Sequence, residues 1–197
     1  MTAILVVVQE GRAWVGADSR TSALAYRDDA EKVFIAEGWL WGVAGHSAQA
    51  CWLRAKLPRQ APDASDEAYL LDVGAQLQVW LRARCDVAEP EDRRRGAVAL
   101  IAARGPRAWL VTGEGIERIG ELAALGDPTA PAAAYLCTDG GLSVPDRIRL
   151  AIEATARVSA YVGGAVCVLE APGSNDAIRR SPGGGVASPW LPRAGRW

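Results

Sequence analysis

The sequence predicts an α+β fold, a hairpin-rich antiparallel sheet with helices covering both faces, and three observations carry that prediction. Short apolar strands arrive in pairs joined by Gly-containing turns, first over residues 3–17, then 32–44, then 97–112. Helical spacing fills the interval between the second and third pairs, and a later helix followed by one more strand closes the pattern. The strands are more apolar than alternating, as expected where both faces are covered. Runs of strands followed by runs of helices fit such layering better than strictly alternating βαβ units.

In chain order, Ala3 to Val8 is a continuous apolar, β-branched run and reads as a strand buried on both faces. Gln9-Glu10-Gly11-Arg12 is a hairpin turn, and Ala13 to Ala17 is its return strand. Ser19 to Glu31 is too polar for a core. Lys32 to Ala36 is the next strand, Glu37-Gly38 a turn, and Trp39 to Ala44 the partner strand. Ser47 opens a helix reaching about Leu57, where Pro58 stops it. Ser65-Asp66-Glu67 gives a capped, acidic first turn to a helix ending near Arg84, with Leu70, Leu71, Leu77, Val79, Trp80 and Leu81 at roughly helical spacing. Cys85 to Gly96 is a loop.

The second β region holds Ala97 to Ala103 and Ala108 to Thr112 around a Gly-Pro turn, then shorter strands near Ile116 to Ile119 and Leu122 to Leu125. An Ala-rich helix is expected near Ala132 to Cys137, broken by Asp139-Gly140-Gly141. Ser143 caps the next helix, with Asp146 at the capping-box position, and that helix runs to about Tyr161. Gly163-Gly164 ends it, and Ala165 to Glu170 is the last strand. From Pro172 onward Gly, Pro, Ser and Arg dominate without periodicity. The expected organisation is one domain over 1–171 and a flexible tail over 172–197.

A chain of 197 residues, half of them apolar, buries a full-sized core in one domain. The net charge of −1, with both signs interspersed, offers no nucleic-acid stripe, and Arg93-Arg94-Arg95 reads as a solvated loop. Cys51, Cys85, Cys137 and Cys167 are scattered without paired spacing, so neither a zinc site nor a disulfide framework is expected, and no cofactor is called for. A single His leaves little material for a His-based metal centre or triad. No apolar run is long enough for a membrane span, and the N-terminus lacks the marks of a signal peptide, so a cytoplasmic protein is expected.

The chain begins Met1-Thr2. A small second side chain favours removal of the initiator Met, and Thr2 would then carry a hydroxyl and a free α-amine on one residue. That pairing is an activated nucleophile of the Thr–N-terminus type.

The order Thr2, hairpin, Asp18 at the end of the second strand, Lys32 opening the third, then Gly42-Val43-Ala44-Gly45 leading into a helix resembles the N-terminal threonine hydrolases. These are the proteasome β subunits, bacterial HslV and the smaller bacterial proteasome-like proteins. The likeness covers most of Thr2 to Ala171 and is strongest in MTAI, GADSR, EKVFIAEGWLWGVAG and AYVGGAVCVLEA. The resemblance implies a four-layer αββα sandwich assembled into homo-oligomeric rings. It further implies a threonine-type peptidase or amide hydrolase that acts on peptide or protein substrates through an acyl ester, with an ATP-dependent unfoldase as a partner.

Carried over residue by residue, the resemblance makes Thr2 the nucleophile and its freed amine the general base, with an α-amine pKa of about 8. Lys32 is the cation that eases ionisation of the hydroxyl, and Asp18 pairs with it, since an unpaired buried ammonium is costly. Gly42 matches the oxyanion donor through its backbone N–H. Two supporting positions depart from the pattern: Asp127 stands where a Ser is usual, and Ser159 where a second acid is usual. A carboxylate at 127 would raise the amine's pKa and weaken it as a base at neutral pH. Those departures leave a catalytically impaired or inactive assembly subunit as the alternative.

Overall fold

The computed structural model describes residues 2–20, 30–44, 47–84, 98–126, 136 and 141–173. The first hairpin joins β1 (Ala3–Gln9) to β2 (Arg12–Asp18), and the second joins β3 (Val33–Ala36) to β4 (Trp39–Val43). Each turns through a Glu-Gly pair with positive φ at both positions, Glu10-Gly11 and Glu37-Gly38, the turn form whose twist suits a two-residue hairpin. Helices α1 (Ser47–Lys56) and α2 (Asp66–Arg84) follow, then β5 (Ala99–Arg104), β6 (Arg107–Thr112), β7 (Ile116–Ile119) and β8 (Leu122–Gly126). Helix α3 (Val144–Val158) and β9 (Val166–Glu170) complete the described elements.

The strands form two antiparallel sheets, ordered β8-β1-β2-β9 and β3-β4-β5-β6-β7. The single sheet read from the strand runs is thus corrected to two. The first hairpin draws its neighbours β8 and β9 from the far end of the chain, and no local pattern announces that pairing.

Three apolar layers account for the burial. On one outer face, Trp52 and Leu53 of α1 and Leu70, Val73 and Leu77 of α2 pack on Trp39, Trp41 and Trp109 of the five-stranded sheet. Between the sheets, Ile4, Val6 and Val15 meet Val33, Leu40 and Ile101. On the other outer face, Ile148, Ala151 and Ile152 of α3 cover Leu5, Val7 and Trp14. Helix, sheet, sheet, helix is the αββα order.

Local signals explain the helix ends. Ser65 Oγ accepts the Ala68 N–H at 3.1 Å, and Ser143 Oγ accepts that of Asp146 at 3.4 Å. Helix α3 stops at Val158, three residues before Tyr161, because Ser159 turns extended. The freed residues 159–163 swing towards the end of β2, and Gly163 N–H reaches Asp18. Pro172, expected to begin the tail, still accepts the Gly105 N–H at 2.8 Å. Residues 174–197, the rest of that tail, lie outside the described residues, as does all of the Ala-rich helix except Leu136, which is helical. No helix among the described residues is long and apolar enough to cross a membrane.

Gly16 is a point of close approach between α3 and its sheet. A Cβ there would fall 2.3 Å from Cγ2 of Ile148, which is fully buried. Gly16→Ala is expected to lower stability by about 1–3 kcal/mol through overpacking. Ile148→Leu, which removes that γ-methyl, should make the double variant less unstable than the sum of the singles. Urea midpoints of the four proteins measure the coupling.

Candidate active site

Strand pairing brings the site together. Ile4 pairs with Ala17, so the residues just outside that pair, Ala3 and Asp18, adjoin at the ends of β1 and β2. Thr2 precedes β1, and Lys32 precedes β3 on the facing sheet. Lys32 is fixed by its own carbonyl, which accepts the Val43 N–H at 2.9 Å. Thr2, Asp18 and Lys32 are 5%, 1% and 9% exposed.

Asp18 is the hub. Its Oδ1 accepts the Thr2 hydroxyl at 2.8 Å, the Ala3 N–H at 2.9 Å and the Lys32 ammonium at 2.8 Å. Its Oδ2 accepts the N–H groups of Gly163 at 3.1 Å and Arg20 at 3.2 Å. An ionised carboxylate only accepts, so the proton between Asp18 and Thr2 belongs to the hydroxyl. A buried ion pair is tolerable when its remaining lone pairs are satisfied, and here three backbone N–H groups and a hydroxyl supplement the ammonium.

The other residues expected at the site fare differently. Gly42 lies within β4, paired with Val33 on one side and Ile101 on the other. Val43 N–H points to β3 and Ala44 N–H to Ala99 of β5. By antiparallel alternation, Gly42 N–H also faces β5 and is consumed by the ladder. Its glycine character answers to packing, since a Cβ would lie 3.0 Å from Val15 and 3.1 Å from Ile4 between the sheets. The structure therefore does not leave the Gly42 N–H free for a substrate. Ser159 caps α3, and its Oγ accepts the Tyr161 N–H at 3.3 Å, closing its own turn. Asp127 lies outside the described residues.

Three further residues enter the site that the sequence reading did not place there. Gly126 pairs with Ala3 at the end of β8, with φ of +95°, and a Cβ on it would fall 1.5 Å from the Thr2 carbonyl oxygen. Only a glycine leaves Thr2 where it stands. Gly163 and Arg20 hold Asp18 from the other side. The sequence signals were present but ambiguous: Gly126 is one glycine after a short strand, Gly163 read as a helix stop, and Arg20 as part of GADSR.

Among the described residues no group of three or more His, Cys, Asp or Glu side chains is arranged to hold a metal. Of the cysteines, Cys167 sits on β9, and its thiol pKa is raised by burial first and by Glu31 second.

No family model matches the chain, and no curated protein matches it in sequence. Solved structures do match in fold. BPH of Thiobacillus denitrificans, a bacterial proteasome homologue, superposes with a TM-score of 0.71 at 15% identity, covering 86% of this chain and 97% of that one. The same protein in complex with epoxomicin gives 0.69 at 15% identity, over 86% and 98% of the two chains. The eukaryotic HslV of Trypanosoma brucei gives 0.62 at 17% identity, over 85% and 98%. The chain has the proteasome/HslV-like fold.

Proposed function

We propose that this protein is a threonine-type peptidase or amide hydrolase whose nucleophile is Thr2 Oγ1, made available by removal of Met1. The observation that carries the reading is one carboxylate oxygen, Asp18 Oδ1, on which the Thr2 hydroxyl and the Lys32 ammonium meet at 2.8 Å each. The fold shared with BPH and HslV supports it.

In this mechanism the freed α-amine takes the hydroxyl proton while Oγ1 bonds to the substrate's amide carbon. The tetrahedral intermediate collapses with cleavage of the C–N bond, and the ammonium returns its proton to the leaving amine. Water, deprotonated by the same amine, then hydrolyses the acyl ester and restores the Thr2 hydroxyl. Asp18 aims Oγ1, and Lys32 places a positive charge beside the oxygen as negative charge develops on it. Val43 and Ala44 have already given their N–H groups to Lys32 and Ala99, so the reading assigns the oxyanion donor to the next residue, Gly45. Ring assembly of identical chains in the cytoplasm, protein substrates and delivery by an ATP-dependent unfoldase belong to the same proposal. A monomer by light scattering would count against the ring.

Asp127 supplies a pH test. The resemblance puts Asp127 at the position that assists the amine, and a carboxylate there would stabilise the protonated form, raise the amine's pKa and leave the free base available only at higher pH. The labelling rate of Thr2 should therefore rise through a pH above the ordinary amine value of about 8. Asp127→Asn should move that rise to lower pH, and an unmoved profile removes Asp127 from the mechanism.

The deciding experiment is mass spectrometry after incubation with epoxomicin or a β-lactone. The wild type is expected to lack Met1 and to carry the adduct on Thr2, whereas Thr2→Ala takes none. A retained Met1, or equal labelling of the two proteins, overturns the proposal. One observation favours a second reading as an inactive assembly subunit: the Ser159 hydroxyl is engaged in its own turn, where the resemblance expects an acid. An oligomer with Met1 removed and Thr2 unreactive would select it.

A further inference from the structure

We propose that Arg20 is a positioning residue, clasping the 159–163 turn so that the Gly163 N–H stays on Asp18 Oδ2; its bearing on activity rests on Thr2 being the nucleophile. Arg20 stands two residues past Asp18, beyond the end of β2. Its backbone N–H is shared between Asp18 Oδ2 at 3.2 Å and the Gly163 carbonyl at 3.0 Å. Its side chain reaches over the turn, with Nη1 3.2 Å from the Ala160 carbonyl and 3.5 Å from that of Val162. The guanidinium lies against Gly163 itself, where a Cβ would fall 2.6 Å from Cζ and 2.8–2.9 Å from the two Nη atoms. Arginine at 20 and glycine at 163 are therefore one device, because the side chain occupies the space that the absent Cβ leaves.

The consequence for the site is geometric. Asp18 presents Oδ1 to three donors, and the orientation of a carboxylate is fixed only when both of its oxygens are held. Oδ2 is held by two N–H groups, one from each side of the clasp. The second lies 145 residues along the chain, on a turn between α3 and β9 whose Ala160 and Tyr161 are exposed. Release of that turn takes one of the two donors from Oδ2 and loosens the carboxylate whose other oxygen the Thr2 hydroxyl and Lys32 share. Lysine at position 20 would keep the charge but lose the planar, multi-donor head that spans neighbouring carbonyls.

The test uses the full chain with Met1 removed and four variants: Arg20→Ala, Arg20→Lys, Gly163→Ala and the double variant Arg20→Ala/Gly163→Ala. Two readouts are taken, the amide hydrogen exchange of residue 163 against the amides of β5, and epoxomicin labelling resolved into its maximal rate and its half-saturating concentration. Arg20→Ala is expected to speed exchange at residue 163 about tenfold or more while the β5 amides hold. It should also cut the maximal labelling rate about 10- to 100-fold at an unchanged half-saturating concentration, as misalignment of a reacting group does. Arg20→Lys should follow in the same direction. Gly163→Ala should expel the guanidinium and reproduce the effect, and the double variant should be no worse than either single change.

Unchanged exchange in Arg20→Ala overturns the proposal, and so does an Arg20→Lys protein equal to wild type in both readouts. A merely structural role would raise exchange in β5 as well or move the half-saturating concentration. Should Arg20→Ala fail to fold, the Lys and Gly163→Ala proteins carry the same comparison. The two proposals fail separately: an unlabelled wild type with the expected exchange pattern keeps the clasp and sinks the nucleophile. A labelled wild type whose exchange ignores Arg20 does the reverse.

Discussion

Asp18→Asn is expected to remove about 3–5 kcal/mol of stability and to abolish labelling of Thr2. Asp18 is almost completely buried and accepts from five donors, among them an ammonium that is itself buried. Asparagine keeps the shape but replaces one acceptor oxygen by an NH2, which turns donors towards donors on one side of the hub. It also deletes the negative charge facing Lys32, and a buried ion pair cut on one side costs far more than the intact pair contributes. The check is a urea titration in which the midpoint falls at unchanged slope, together with loss of the probe adduct. A variant as stable as wild type would mean that the buried carboxylate does not bear the weight assigned to it.

Gly126→Ala is the second large effect, and it separates positioning from packing. The new Cβ would sit 1.5 Å from the Thr2 carbonyl oxygen and 2.6 Å from its carbon, and the φ of +95° disfavours any L side chain. Backbone cannot rotate away as a side-chain tip can, so either Thr2 or the end of β8 must move. The expected result is a loss of the Thr2 labelling rate of about a hundredfold or more, the scale of an ångström-sized misplacement. The accompanying stability loss is expected at about 1–3 kcal/mol. Gly120→Ala is the control, because a Cβ there meets nothing within 4 Å and its φ is ordinary. Labelling of the Gly126 variant at the wild-type rate would refute this account of how Thr2 is held.

The Gly42 correction shows how far a linear reading reaches. Counting along WGVAG finds a glycine after an apolar strand, but not which of its N–H groups the ladder has already taken. That depends on β5, about sixty residues away, and on the alternation set by Val43 and Ala44. Ser159 teaches the same lesson from the other side. Its place at the site came from the resemblance alone, whereas its hydroxyl is committed to Tyr161 because α3 ends three residues sooner than expected.

The sequence by itself determined whatever depends on neighbours along the chain. It determined the strand runs, the two Glu-Gly hairpin turns, the Ser65 and Ser143 caps and the order in which Thr2, Asp18 and Lys32 occur. These follow from side-chain period, turn conformation and capping, which act over a few residues. Only the tertiary structure decided that the hairpins enter different sheets, that Asp18 Oδ1 is the point where three donors meet, and that Gly126, Gly163 and Arg20 surround it. The physical reason is that these contacts depend on β1 pairing with β8 and β2 with β9, across more than a hundred residues. Such pairings are selected by burial of whole faces and leave no local periodic trace at the residues they bring together.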